Sequence, residues 1–250
     1  MRNCLKADLL RVQRKKAYII MITIVFVLVT VMAVIAGIGI IKGDKSDHFK
    51  LFESAMLSFN GLMIGIPVFS AILSDDFKSR SMQTAIGHGM SRRKLIFTRF
   101  LEFIIVVAEA FFILTLAVGL IGMIFGIKLS AIGEVVGSMW LESVSMICYF
   151  SISMIFVYWR QNGTIGLVLY IILSLDALNL ILVGLNQIPF IKHNDIDLVD
   201  YTVPGMREKI MDGSLAAGSR VVWGVAVVFF YIIVPLFLTM RIFRRRELDF

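Results

Sequence analysis

Six long runs with few charged side chains constrain this chain more than any other feature. They cover residues 17–41, 54–74, 103–127, 140–158, 164–184 and 221–240. A helix needs about 20 apolar residues to cross a hydrocarbon core of roughly 30 Å, and its backbone groups must be hydrogen-bonded within the segment. The alternating pattern of a transmembrane barrel strand is not visible. The runs therefore predict an all-α, polytopic membrane protein with six transmembrane helices.

Composition supports the same class. Residues of the set AVILMFWYC make up 58% of the chain and charged residues 17%, whereas soluble domains average about 45–50% and about 25%. These values exclude an ordinary soluble enzyme, a disordered segment and a fibrous repeat. The net charge of +7 needs no nucleic acid as a partner, because basic flanks are attracted to the cytoplasmic leaflet of a membrane.

The distribution of basic residues predicts the orientation. If the N-terminus is cytoplasmic, about two thirds of the 25 Lys and Arg residues lie on the inner side of the six runs, as the positive-inside rule requires. Trp140 and Trp159 bracket the fourth run, where aromatic anchors are expected. We expect a multi-pass membrane protein with both termini in the cytoplasm.

The first 16 residues are basic but patterned. Leu5, Leu9 and Val12 fall on one helical face, which favours an amphipathic helix on the inner membrane surface. The alternative is a disordered positive flank that only sets topology. The remainder, residues 17–250, is predicted to be a single transmembrane domain.

Two connecting segments are long enough to carry structure. Residues 185–220 are predicted to be extracellular, with a short helix between Pro204 and Gly213. Residues 75–99 are predicted to be cytoplasmic, and three apolar residues there fall on one face of a short helix: Met82, Ala85 and Ile86. Gly87 and Gly89 are natural stops for it, and Ser91 is a natural N-cap for the third span. On pattern alone this segment can also be a solvated basic loop.

This layout resembles the permease subunits of ABC-2 type ATP-binding-cassette transporters. Family members tend to have an acidic residue and an aromatic at the end of the second span, then a short helix, then a small residue and Ser-Arg before the third. The matching residues here are Asp76, Phe77, the stretch 79–86, Gly89, Ser91 and Arg92. The size and hydropathy are similar to those of small bacterial permeases that export antimicrobial peptides or protect a producer from its own lantibiotic.

The resemblance implies a mechanism and partners. Residues 75–99 would be a coupling loop that docks into a separate nucleotide-binding ATPase subunit, which would carry ATP and Mg²⁺. The implied ATPase-coupling residues are Asp75, Asp76, Phe77, Arg80, Met82, Ile86, Ser91 and Arg92. A second copy or a homologous permease would complete the pathway within the membrane lipid.

The sequence offers no catalytic or metal-binding motif. It contains no P-loop, no H-E-x-x-H and no G-x-S-x-G pattern. Its three histidines lie on separate loops, and Cys4 and Cys148 lie in different environments. We therefore expect a transport subunit rather than an enzyme, with no cofactor of its own and no nucleic acid as a partner.

Two acidic residues lie near the middle of predicted spans. Glu109 is in the third run and Asp176 in the fifth, where a charge costs about 2.5–3.5 kcal/mol on insertion scales. One hypothesis is that Glu109, Asp176 and Asn179 line the translocation path. The other is that hydrogen-bonded carboxyl groups hold helices together. Two further hypotheses concern the function of the whole chain. One is an ion-coupled transporter or channel that uses Glu109 and Asp176, and the other is a membrane scaffold or sensor.

Overall fold

The computed structural model describes residues 2–41, 61–78, 81–186, 199–211, 219, 222, 224–226 and 229–245. All regular structure in these residues is helical, and none of them lies in a strand. The predicted all-α class is therefore confirmed.

Eleven labelled helices are used below to position the site. The first five are α1 (Arg2–Gln13), α2 (Lys16–Ile41), α3 (Gly65–Phe69), α4 (Asp75–Lys78) and α5 (Ser81–Gly87). The next six are α6 (Arg92–Ile124), α7 (Leu129–Arg160), α8 (Gly163–Ser174), α9 (Ala177–Asn186), α10 (Val203–Met211) and α11 (Val234–Arg245). π-Helical turns precede α4 (Ser70–Ser74) and α11 (Phe229–Ile233), and a 3₁₀ turn (Val199–Tyr201) precedes α10.

Three helices in the described part of the chain are long and apolar enough to cross a membrane, judged by length and composition. They are Arg92–Ile124, Leu129–Arg160 and Gly224–Arg245. Shorter apolar helical stretches, Tyr18–Leu28, Gly61–Ser74 and Gly163–Ser174, fall in the first, second and fifth predicted runs. These helices agree with the membrane-spanning class that the sequence predicts. The number of six spans and the cytoplasmic position of the termini stay predictions.

The fifth run is not one continuous helix, contrary to the sequence prediction of a span over 164–184. α8 ends at Ser174 and α9 begins at Ala177. Between them Asp176 has a φ of 53°, a left-handed conformation that Asp and Asn tolerate better than most residues. Hydropathy did not reveal this break, because it reports how apolar a stretch of residues is and carries no information on the backbone angle of one residue.

The third and fourth runs belong to longer helices than predicted. α6 begins at Arg92 rather than at 103, and α7 begins at Leu129 rather than at 140. The added segment of α6, about three turns, contains Arg99, which is only 4% exposed. Ion pairs with Glu102 and Asp8 compensate its charge.

The chain forms two compact units. The first comprises Met1–Asp75 and Phe97–Val144, and the second comprises Asp76–Ile96 and Ser145–Phe250. In the first unit α6 and α7 form a hairpin, in which Trp140 Nε1 donates to Thr115 Oγ1 at 3.2 Å. A Cβ on Gly122 would lie 2.5 Å from Ile132 Cδ1, so a glycine there permits the close approach of α7 to α6.

The N-terminal helix of the first unit is attached by polar contacts. Gln13 of α1 hydrogen-bonds to α6, and the Lys15 ammonium donates to the Ala71 carbonyl at 2.8 Å. Val12 is fully buried. The helix predicted within residues 1–16 is present, and it packs against protein as well as carrying an exposed side.

Candidate functional site

The predicted coupling loop has a defined local structure in the second unit. We call residues 76–91 the coupling segment. After α5, the Gly89 N–H donates to the Ile86 carbonyl at 2.9 Å and the Met90 N–H donates to the Ala85 carbonyl at 3.1 Å. This pair of bonds, with a φ of 89° at Gly89, is a Schellman motif. The segment therefore ends its short helix where the sequence predicted.

The next helix begins with a side-chain cap. The Lys94 N–H donates to Ser91 Oγ at 3.4 Å, which is the bond between an N-cap side chain and the third helical residue. The prediction of Ser91 as an N-cap is confirmed. The segment is thus a short helix with a glycine stop on one side and a capped long helix after it.

A chain of aromatic contacts holds the segment within the second unit. The ring centroids of Phe77 and Tyr158 are 5.9 Å apart, and those of Tyr158 and Phe243 are 4.8 Å apart. The Arg92 guanidinium carbon lies 5.5 Å from the Phe243 centroid, and Arg92 Nη1 donates to the Phe243 carbonyl at 2.9 Å. Each aromatic pair adds about 0.5–1.5 kcal/mol beyond its buried area. The start of α6 is therefore fixed to α11, and α4 to α7.

The predicted coupling residues divide into buried and accessible sets. Asp76 is 2% exposed and Met82 is 3% exposed, so these two side chains hold the segment in place and cannot form its outer surface. Phe77, Ile86 and Arg92 are half-buried, and Ser91 is exposed. Asp75 belongs to the other unit, and Arg80 lies outside the described residues.

The accessible surface of the segment is its far end. Thr84, Gly87 and His88 are exposed, and a hydrogen bond of 2.7 Å joins His88 Nδ1 to the Thr84 carbonyl. Sequence reasoning passed over Thr84 and His88 because it followed the apolar face, and that face is turned inward. The polar face of the same helix was the available signal.

A small cavity with mostly apolar walls lies elsewhere in the second unit and contains two of the three proposed pathway residues. Its volume is about 140 Å³. Its polar lining residues are Tyr149, Asp176, Asn179, Thr202 and Tyr231, and its apolar ones are Ile152, Leu173, Leu182, Val203 and Pro204. The structure therefore brings Asp176 and Asn179 together.

The cavity is built around the break in the fifth run. The Tyr149 hydroxyl donates to Asp176 Oδ1 at 3.3 Å, and Tyr231 is fixed by donating its hydroxyl to the Tyr201 carbonyl at 2.6 Å. Arg207 lies near enough to act on the charge of Asp176. A carboxylate, an amide and two phenols beside apolar walls can accept a small cationic or hydrogen-bonding group.

Glu109 lies in the first unit and does not line this cavity. Gln13 Nε2 donates to Glu109 Oε2 at 2.7 Å, which joins α1 to α6. This contact is the arrangement that the second hypothesis expects, in which a carboxyl group holds helices together.

A buried ionic cluster in the first unit was missed by the sequence reasoning. Arg99 Nη1 lies 2.7 Å from Glu102 Oε2 and 2.8 Å from Asp8 Oδ2. Glu102 is fully buried. The R-x-x-E spacing places Arg99 and Glu102 on one helical face and was a usable signal for that pair. Asp8 carried none, because its contact depends on tertiary packing.

Neither a comparison with protein-family models nor one with curated proteins finds a match for the chain. Among the described residues, no three His, Cys, Asp or Glu side chains come together as a metal site. The functional assignment therefore depends on the residues and contacts above.

Proposed function

We propose that the chain is the permease subunit of an ATP-driven exporter of the ABC-2 type in a bacterial cell membrane. It spans the membrane six times with both termini in the cytoplasm and works with a second copy or a homologous permease. A separate ATPase subunit supplies ATP and Mg²⁺ chemistry. The transported molecules are amphipathic: an antimicrobial peptide, a lantibiotic or a drug-like compound, exported or expelled for self-immunity.

The main support is the construction of the coupling segment. Its inner residues, Asp76 and Met82, are buried, while Thr84, Gly87 and His88 at its far end are exposed. The buried residues, the Schellman stop and the capped exit fix both ends of the short helix. These features suit a rigid element on which another protein exerts force.

The contacts of the segment give that force a route. The two ring contacts of Tyr158 connect Phe77 to α11, and Arg92 connects the start of α6 to the last turns of α11. Closure of the ATPase dimer would displace α5, and these contacts would carry the displacement to α7 and α11. Packed elements move in discrete steps rather than by gradual deformation.

Gly87→Trp should abolish coupling without disturbing the fold. A Cβ on Gly87 meets no other atom within 4 Å, so the indole extends into the space that a docked ATPase needs. We expect ATP-driven transport and co-purified ATPase activity to fall at least about tenfold, the equivalent of a 1.4 kcal/mol loss of binding. The measurement is ATP hydrolysis by the complex purified from its native membrane, with mass spectrometry to identify the partner.

Gly133→Trp is the matched control. Gly133 is also an exposed helical glycine whose Cβ would meet no atom within 4 Å, but it lies at the predicted outer end of α7. It should keep the ATPase and its activity. Equal activity of the two variants, or transport by the wild type with no ATP-hydrolysing partner, would contradict the proposal.

The ion-coupled alternative is favoured by one observation, the Tyr149–Asp176 hydrogen bond inside the cavity. Both readings predict that Asp176→Asn lowers transport by about tenfold or more, since a hydrogen bond to a charged group contributes about 1.5–3 kcal/mol. Glu109→Gln should keep transport close to wild type, because the amide can still bond to Gln13.

Transport into vesicles measured with ATP, and then with only an ion gradient, separates the two functions. A larger loss from Glu109→Gln than from Asp176→Asn would contradict the assignment of the path to the cavity.

A further inference from the structure

A second concave surface, distinct from the cavity around Asp176, lies at the end of α11. It is an open groove of about 480 Å³ lined by Arg93, Phe237, Met240, Arg241, Arg244 and Arg245. We call it the arginine groove. Its four guanidinium groups come from two helices, and the mechanism proposed above uses none of them.

The groove has a fixed frame. Arg92 Nη1 donates to the carbonyls of Phe243 at 2.9 Å and Arg244 at 3.4 Å, which holds the first turn of α6 beside the last turns of α11. Arg93 therefore faces the same groove as Arg241 and Arg245. Because these contacts use the backbone of α11, its arginine side chains remain available to a ligand.

The groove changes from basic to apolar along α11. Phe237, Arg241 and Arg245 follow one another at spacings of four residues, so they lie on one face. Phe237 is about one turn from Arg241, roughly 6 Å along the axis, and it is 62% exposed. Phe237 belongs to the helical stretch Gly224–Arg245. Only 12% of the apolar part of that stretch is buried. A ligand that fits both parts has an anionic group next to an apolar body.

We propose that the arginine groove binds the headgroup of an anionic phospholipid, whose acyl chains lie along Phe237 and the apolar face above it. Guanidinium groups bind phosphate oxygens in pairs, and basic pockets at the ends of membrane helices suit such headgroups. An acidic protein surface or free phosphate would engage the arginines and leave Phe237 without a partner. The bilayer supplies a molecule with both parts.

Native mass spectrometry of the full chain tests this inference. The chain is released from detergent after titration with phosphatidylglycerol or with phosphatidylcholine of the same acyl chains. We expect tighter binding of phosphatidylglycerol, and a loss of about 100-fold in the variant R241Q/R244Q/R245Q, from about 1 kcal/mol for each basic residue. The control R14Q/K16Q/R160Q removes the same charge at other basic positions and should keep that preference.

Two further measurements separate the possible ligands. Phe237→Ala keeps every charge, so it should weaken phosphatidylglycerol severalfold and leave inorganic phosphate binding unchanged. Inorganic phosphate should fail to displace the lipid at millimolar concentration. The proposal is overturned if inorganic phosphate displaces phosphatidylglycerol, or if R241Q/R244Q/R245Q binds phosphatidylglycerol as the wild type does. It is also overturned if that variant no longer binds the partner ATPase but still binds phosphatidylglycerol. Thermal unfolding in phosphatidylcholine shows that each variant is folded.

Discussion

Replacing Arg99 with methionine should lower the free energy of unfolding by about 3–5 kcal/mol, the usual cost of removing one partner from a buried ion pair. Arg99 lies within 2.8 Å of both Glu102 and Asp8. Methionine fills much of the volume but removes the guanidinium that contacts the fully buried Glu102 carboxylate. Denaturant unfolding in detergent micelles, followed by tryptophan fluorescence, measures the change.

A double-mutant cycle identifies the source of this loss. Arg99→Met with Glu102→Met removes both charges, and the pair should recover most of the lost stability because it leaves no buried charge inside α6. Asp8→Asn should cost only about 1 kcal/mol, since the Asp8 side chain is 19% exposed and screened by water. A cost of less than about 1 kcal/mol for Arg99→Met, by the same scale, would show that the cluster does not support the fold.

Tyr158→Ala should produce the second large effect, because this ring lies between Phe77 and Phe243. Tyr158 is fully enclosed, with 1% exposure, and truncating such an aromatic side chain costs about 3–5 kcal/mol. The coupling segment would lose its contact with α7. Hydrogen exchange should therefore rise in residues 76–91 before it rises in the rest of the second unit.

Tyr158→Phe is the matched control, because it keeps both ring contacts and removes only the hydroxyl. It should cost about 1 kcal/mol or less and leave exchange in the coupling segment close to wild type. In a transport assay of the proposed complex, the partner ATPase should still hydrolyse ATP with Tyr158→Ala, while substrate transport is lost. If Tyr158→Ala leaves the exchange of residues 76–91 unchanged, the aromatic contacts do not hold the segment.

The sequence predicted those features that depend on local signals. Hydropathy indicated the all-helical, membrane-spanning class. The spacing of Leu9 and Val12 indicated a helix before the first run, and Ser91 with Gly89 indicated how the coupling segment ends. Each of these depends on residues a few positions apart, where caps and stops act through neighbouring backbone groups.

The features that the sequence did not predict are tertiary. Asp8 meets Arg99 only after α1 has packed against α6, so no short-range pattern marks the contact. The break at Asp176 depends on one backbone angle, and hydropathy carries no information on backbone angles. The cavity around Asp176 depends in turn on that break, since Asn179 of α9 lines it together with Tyr149 and Tyr231.

The attachment of α1 has a consequence for biosynthesis. Its partners Arg99 and Glu109 are made long after it, and a ribosome that adds about 5–20 residues per second needs roughly 5–20 s to reach them. During that interval Asp8 and Gln13 have no native partner within the nascent chain. Until α6 has been inserted, α1 can lie on the bilayer surface through its apolar side, which includes Leu9 and Val12.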